Sequence, residues 1–91
     1  MQLYVERGAP MTGKTIRLRE KAREAGQDEH QIISGRAYHK PADIELLVRH
    51  RISRGAKVIC LDECSEEQIA RLQGLKGDLP ADLVIHAVVA N

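Results

Sequence analysis

With 91 residues the chain is long enough for one domain and one modest core, spanning residues 1–91. Apolar residues make up 43% of it, with two tyrosines and neither phenylalanine nor tryptophan, so that core must be aliphatic. A formal charge of +1 excludes bulk electrostatic attraction to nucleic acid or to a membrane surface. No apolar run approaches the ~20 residues that span a bilayer. Neither a secretory leader nor a metal-type spacing of Cys60 and Cys64 is visible, and the expected setting is cytoplasmic.

The opening segment "QLYVERG" alternates Leu3 and Val5 with polar neighbours, a strand period. Good helix formers then run from Thr15 to Ala25, and Gly26 suits the left-handed stop. "QIISG" (31–35) predicts a short strand. Pro41 opens a second helix that Gly55 closes, with Ile44, Leu47, Val48 and Ile52 on one apolar face. "KVICLDEC" (57–64) is a continuous apolar run ending in acids, the pattern of a strand covered on both faces. Ser65 with Gln68 forms a capping box for a helix carried by Ile69, Leu72 and Leu75. Gly77 and Pro80 break the chain before "DLVIHAVVAN", a last apolar strand. Strands alternating with helices predict an α/β fold: a three-layer αβα domain around a four-stranded, mostly parallel sheet.

Between the first strand and the first helix lies "GAPMTGKT", residues 8–15, with the spacing Gly-x-x-x-x-Gly-Lys-Thr. In strand–loop–helix context this spacing is that of a nucleotide phosphate loop. Glycines allow the backbone of Gly8, Ala9, Pro10, Met11, Thr12, Gly13, Lys14 and Thr15 to wrap with its N–H groups inward, and the helix N-terminus adds positive potential. Lys14 would reach the β- and γ-phosphates of ATP, and the Thr15 hydroxyl would hold Mg²⁺. A glycine turn that binds nothing is the alternative reading.

"VICLDE" (58–63) puts two acids at the C-terminal end of a buried strand, where ligands bind in open α/β sheets. Asp62 would sit in the outer sphere of the Mg²⁺ and Glu63 would be the general base for an attacking water. The competing reading is an acidic flank for the helix that starts near Ser65.

The loop at 8–15 followed by "LDE" resembles the P-loop NTPases, in particular their additional-strand catalytic-glutamate branch. The order of elements matches over nearly the whole chain, while the specific motifs cover about residues 3–15 and 57–63. The resemblance implies the strand order 1-4-3-2, with the last strand between the loop-bearing and acid-bearing strands. Strand 1 would then lie on an edge, which suits its polar Gln2, Glu6 and Arg7. It also implies that Asn91 would face the γ-phosphate, as the sensor asparagine of AAA-type members does; a frayed terminal residue is the alternative.

No run that reads guanine is present, and no aromatic except Tyr4 or Tyr38 lies near enough to stack a base. Arg36, His39 and Lys40 follow the second strand and would meet an acidic substrate or form a solvated basic loop. Arg49, His50, Arg51 and Arg54 make a basic helix end that favours the helix dipole and gives only weak support to nucleic-acid contact. His86 reads as a hydrogen-bonded core histidine and Cys60 as a small core hydrophobe. Together these residues lead to the expectation of a minimal Mg-ATP-binding domain with slow ATPase activity, acting as a small accessory subunit. A weak homo-oligomer or a protein partner would cover the site. A non-catalytic interaction module and a small-molecule kinase are the rival readings.

Overall fold

The computed structural model describes residues 1–8 and 13–90. Ala9, Pro10, Met11, Thr12 and Asn91, all assigned to the site from sequence, lie outside the described residues. Four strands, β1 (Gln2–Glu6), β2 (Ile33–Ser34), β3 (Val58–Cys64) and β4 (Val84–Val89), alternate with three helices, α1 (Lys14–Glu24), α2 (Pro41–Ser53) and α3 (Glu66–Gly74). The sheet is parallel throughout, in the order β1-β4-β3-β2, so β1 is an edge strand as expected.

Strand alternation divides the apolar side chains between two faces. Ile59 and Leu61 of β3 and Ile85, Ala87 and Val89 of β4 join Ile44 and Val48 of α2 and Ile69 and Leu72 of α3 in the larger core. The intervening Cys60 and Val88 meet Leu18 and Ala22 of α1 in a smaller one. Helices therefore cover both faces, but unequally: two on one side, one on the other. Leu47 and Ile52 complete the apolar face of α2, packed against the larger core. Cys60 is fully buried, a core residue as its neighbours predict.

The helix signals translate into geometry. Ser65 Oγ accepts from the Gln68 N–H at 3.1 Å and Gln68 Oε1 accepts from the Ser65 N–H at 3.0 Å, closing the capping box. Gly26 and Gly55 take φ of 78° and 92° just beyond α1 and α2, the left-handed conformation a helix stop requires.

The expected strand at 31–35 is the main difference. Only Ile33 and Ser34 pair with β3, at Leu61 and Asp62. On one side Asp28 and Gln31 form their own capping box around a 3₁₀ turn (Glu29–Gln31), and on the other Gly35–Ala37 turns again. Local side-chain bonds have taken Gln31 out of the ladder. Gln68 of α3 holds the second turn in place: its buried Nε2 donates to the carbonyls of Gly35 and Tyr38, each at 3.0 Å.

Gly35 sits in a space that no side chain can share. A Cβ there would lie 2.8 Å from the Glu63 carbonyl oxygen and 2.9 Å from Cys64 Cα, both backbone atoms. Gly35→Ala is expected to lower the unfolding free energy by about 1–3 kcal/mol in urea titrations. Gly77→Ala, with nothing within 4 Å of the added carbon, should stay within about 0.5 kcal/mol of the parent.

Candidate functional site

Parallel strands deliver their C-terminal ends to one rim, and there the residues singled out from sequence meet. Gly8 leaves β1 with φ 144° and Gly13 enters α1 as its N-cap with φ 83°, so both ends of the loop use conformations that favour glycine. Lys14 comes next, its residue only 8% exposed. Its Nζ donates to the Gly8 carbonyl at 2.9 Å and to the Val89 carbonyl at 3.1 Å. The ammonium thus ties the start of the loop to the end of β4, and it forms no ion pair among the described residues. The acid whose ionisation it influences, Glu6, is held by Arg17 through two hydrogen bonds of 2.8 Å. That bidentate contact keeps the Glu6 carboxyl below its ordinary range.

Thr15 and Asp62 lie 47 positions apart in sequence, yet Thr15 Oγ1 donates to Asp62 Oδ2 at 3.2 Å. The other Asp62 oxygen, Oδ1, accepts from the Glu63 N–H at 2.9 Å. This second bond accompanies an irregularity in the sheet. β3 pairs with β4 in register through Leu61↔Ala87, and the next pair is Cys64↔Val89, so β3 carries one extra residue there. Glu63 absorbs it with φ 53°, the one described non-glycine residue at positive φ. Such a conformation costs roughly 1–2 kcal/mol, and it turns the side chain toward β2. Ser34 Oγ donates to Glu63 Oε2 at 3.4 Å, and Arg36 Nε lies 3.2 Å from the same oxygen. With the Arg36 and Glu63 side chains 70% and 45% exposed, the pair is solvent-screened.

Gly8, Gly13, Lys14, Thr15, Asp62 and Glu63 thus come together at one rim, while the sensor assignment at Asn91 falls on an undescribed residue. The neighbourhood of Glu63 was not visible in the sequence. Gly35 and Gln68 seat the turn that carries Arg36 against the end of β3. The only signal was Gln68 itself, legible as a cap and silent about its second set of partners. Arg7 is also engaged within the chain, donating to both Glu66 oxygens at 2.9 Å, which lowers the Glu66 carboxyl from its ordinary value. His39 and Lys40 are exposed. The histidine expectation is corrected: the His86 side chain makes no hydrogen bond among the described residues but stacks on Tyr4, ring centroids 5.4 Å apart, at the floor of an open groove. α1 lies over β3 and β4, so the groove of about 590 Å³ remains beside β1. Burial and the Lys21 charge both lower the imidazole's pKa.

For a metal, the described residues offer two oxygens, from Thr15 and Asp62; no group of three or more His, Cys, Asp or Glu converges among them. Two protein oxygens suit Mg²⁺ carried in with phosphates and water, and do not suit an all-protein cage. No helix among the described residues is long and apolar enough to cross a membrane. No protein-family model matches the chain, and neither a curated protein nor a solved structure matches it.

Cys64, buried next to Asp62, has its thiol pushed up to about 12 from an ordinary 9.0, first by desolvation and then by the aspartate charge. The folded protein therefore keeps a proton that the unfolded chain releases, and this thiol's contribution to stability falls as pH rises above 9.0. At mildly alkaline pH, iodoacetamide is expected to leave the native protein unlabelled at Cys64 and to label both cysteines once it is unfolded in urea.

Proposed function

We propose that the protein binds Mg-ATP through the loop at Gly8–Thr15 and the C-terminal end of β3, and hydrolyses it slowly. The observation that carries this reading is Lys14: a nearly buried ammonium at a helix N-terminus, satisfied by two carbonyls and paired with no carboxylate among the described residues. A desolvated cation in the positive field of a helix start favours an anion there. Polyphosphate is the anion that a loop of this spacing would cradle. On binding, Lys14 Nζ would exchange the Gly8 and Val89 carbonyls for β- and γ-phosphate oxygens.

Thr15 and Asp62, already within hydrogen-bond distance, would hold the Mg²⁺. The ion would neutralise phosphate charge and orient the γ-phosphoryl group. Hydrolysis requires a water oxygen to bond to the γ-phosphorus as the bond to the β,γ-bridging oxygen breaks, leaving ADP. Glu63 would take that water's proton once its contact with Arg36 and Ser34 opens. Asn91, by the P-loop resemblance, would hydrogen-bond the γ-phosphate. Few of the described protein groups exclude water from such a rim, and a protein partner would provide the cover that faster turnover needs.

A second reading, a non-catalytic binding module, is favoured by one contact. Glu63 is held toward Arg36 and Ser34, so proton transfer requires that ion pair to open. The same contact weakens the kinase alternative, because Arg36 is engaged by Glu63 and not directed at an acceptor.

Mg-ATP should bind in the micromolar-to-millimolar range and stabilise the parent protein by ~2.7 kcal/mol at a hundredfold excess over its dissociation constant. Lys14→Ala should remove most of this ligand-dependent shift in Tm; no shift in the parent at millimolar Mg-ATP overturns the reading. Glu63→Gln is expected to retain the shift and to lower phosphate release by about a hundredfold or more. Arg36→Ala, which frees Glu63, is expected to raise release. Equal release by all three proteins would remove Glu63 from the chemistry, and no release by any of them would assign the protein to the non-catalytic reading.

A further inference from the structure

Among the described residues, β1 is bonded on one side only. Its sole strand neighbour among the described residues is β4. The Gln2 N–H donates to the Leu83 carbonyl at 2.8 Å, and the register runs Gln2↔Val84 to Glu6↔Val88. Even-numbered residues thus direct their backbone groups at β4, and alternation turns the N–H and C=O of Leu3 and Val5 outward. Natural edges are blunted by lysine, proline, a bulge or a covering element. β1 contains no lysine or proline, its register with β4 is unbroken, and its single charge, Glu6, is matched by Arg17.

We infer that this edge is the pairing surface for a second copy of the chain, with the two β1 strands antiparallel about a twofold axis at Tyr4. Five residues centred on Tyr4 are self-complementary in that register. Leu3 meets the second copy's Val5 as a hydrogen-bonded pair, which uses all the outward backbone groups of both residues. Tyr4, 53% exposed, meets its own counterpart as a closely spaced, non-hydrogen-bonded pair, and aromatic pairs of this kind stabilise sheets. Gln2 comes opposite Glu6, an amide donor facing a carboxylate. Within these five residues no like charges meet, because each Glu6 faces the neutral Gln2. The groove beside Tyr4 and His86 on one copy continues into that of the other, with α1 of each as its walls.

Antiparallel pairing sends the two rims to opposite ends of a continuous eight-stranded sheet. The two rims do not face each other across the pairing, so the dimer is expected with or without nucleotide and stands apart from the Mg-ATP reading. It is also register-specific, which makes it testable with single cysteines, since Cys60 and Cys64 are buried. Facing Tyr4 Cα atoms would lie ~4.5 Å apart, within the span a disulfide bridges. The two Gln2 residues would be more than ~10 Å apart.

Sedimentation equilibrium from micromolar to millimolar protein should show a monomer–dimer equilibrium that Mg-ATP leaves unchanged. Under mild oxidation Tyr4→Cys should form a disulfide-linked dimer. Gln2→Cys alone should not, while Gln2→Cys mixed with Glu6→Cys should. Tyr4→Lys, which sets two ammonium groups against each other, should weaken dimerisation by about tenfold or more with an unchanged circular dichroism spectrum. A monomer at every concentration, cross-linking of Gln2→Cys as fast as Tyr4→Cys, or a dimer indifferent to Tyr4→Lys each overturns the inference.

Discussion

The Lys14 ammonium is the point on which the rim of this sheet depends. It bonds the carbonyl that starts the loop and the carbonyl that ends the central strand β4, and so joins backbone from two ends of the chain. Neither carbonyl bears a full charge, so among the described residues the cation's hydrogen-bond partners are dipoles alone. Such an arrangement is stable enough to define a structure and still gains from an anion. Under the proposed function, structural and binding demands would fall on this one residue and compete, since the bonds Lys14 makes to Gly8 and Val89 are those that binding would exchange.

The acids at the end of β3 divide two tasks by conformation. Asp62 continues the strand and reaches Thr15, while Glu63, one residue later, has left the extended region and reaches Ser34 and Arg36. One residue of excess length on β3 separates two adjacent carboxylates into different environments. The backbone strain this requires is held by the tight seat of Gly35 under Glu63 and by the buried Gln68 that fixes the Gly35 carbonyl. A strained residue persists only where the surroundings over-determine the backbone, and such residues cluster at functional sites, which accords with the binding proposed for this rim.

Much of this was legible in the chain. Alternating and continuous apolar runs, the capping box at Ser65 and the glycine stops gave the elements and the parallel sheet, because each is a local rule written in neighbouring residues. The loop spacing and the terminal acids placed Lys14, Thr15, Asp62 and Glu63 at one rim, because parallel topology gathers strand ends. The length of β2 was not legible: it was decided by the competing bonds of Asp28 with Gln31 and of Gln68 with Gly35. Nor was the orientation of Glu63, which depends on a register shift between strands distant in sequence. The surroundings of His86 escaped for a similar reason, since an apolar run does not say which strand faces a helix incompletely.

The pairing of β1 with β4 has a consequence for how the chain folds. Gln2 lies beside Val84, so β1 has no sheet partner until β4, some eighty residues later in the chain, has been made. β3 and β4 share the most extensive contact in the sheet and, with α3 between them, form the shortest parallel crossover unit around β4. They are the natural nucleus, and closing the long loop back to β1 carries an entropy cost that grows with its length. β1 would therefore dock late, and the bonds of Lys14 to Gly8 and Val89 would form with it. In hydrogen exchange on the native protein, this seam is where subglobal opening would begin, with the amides of β3 the last to be lost.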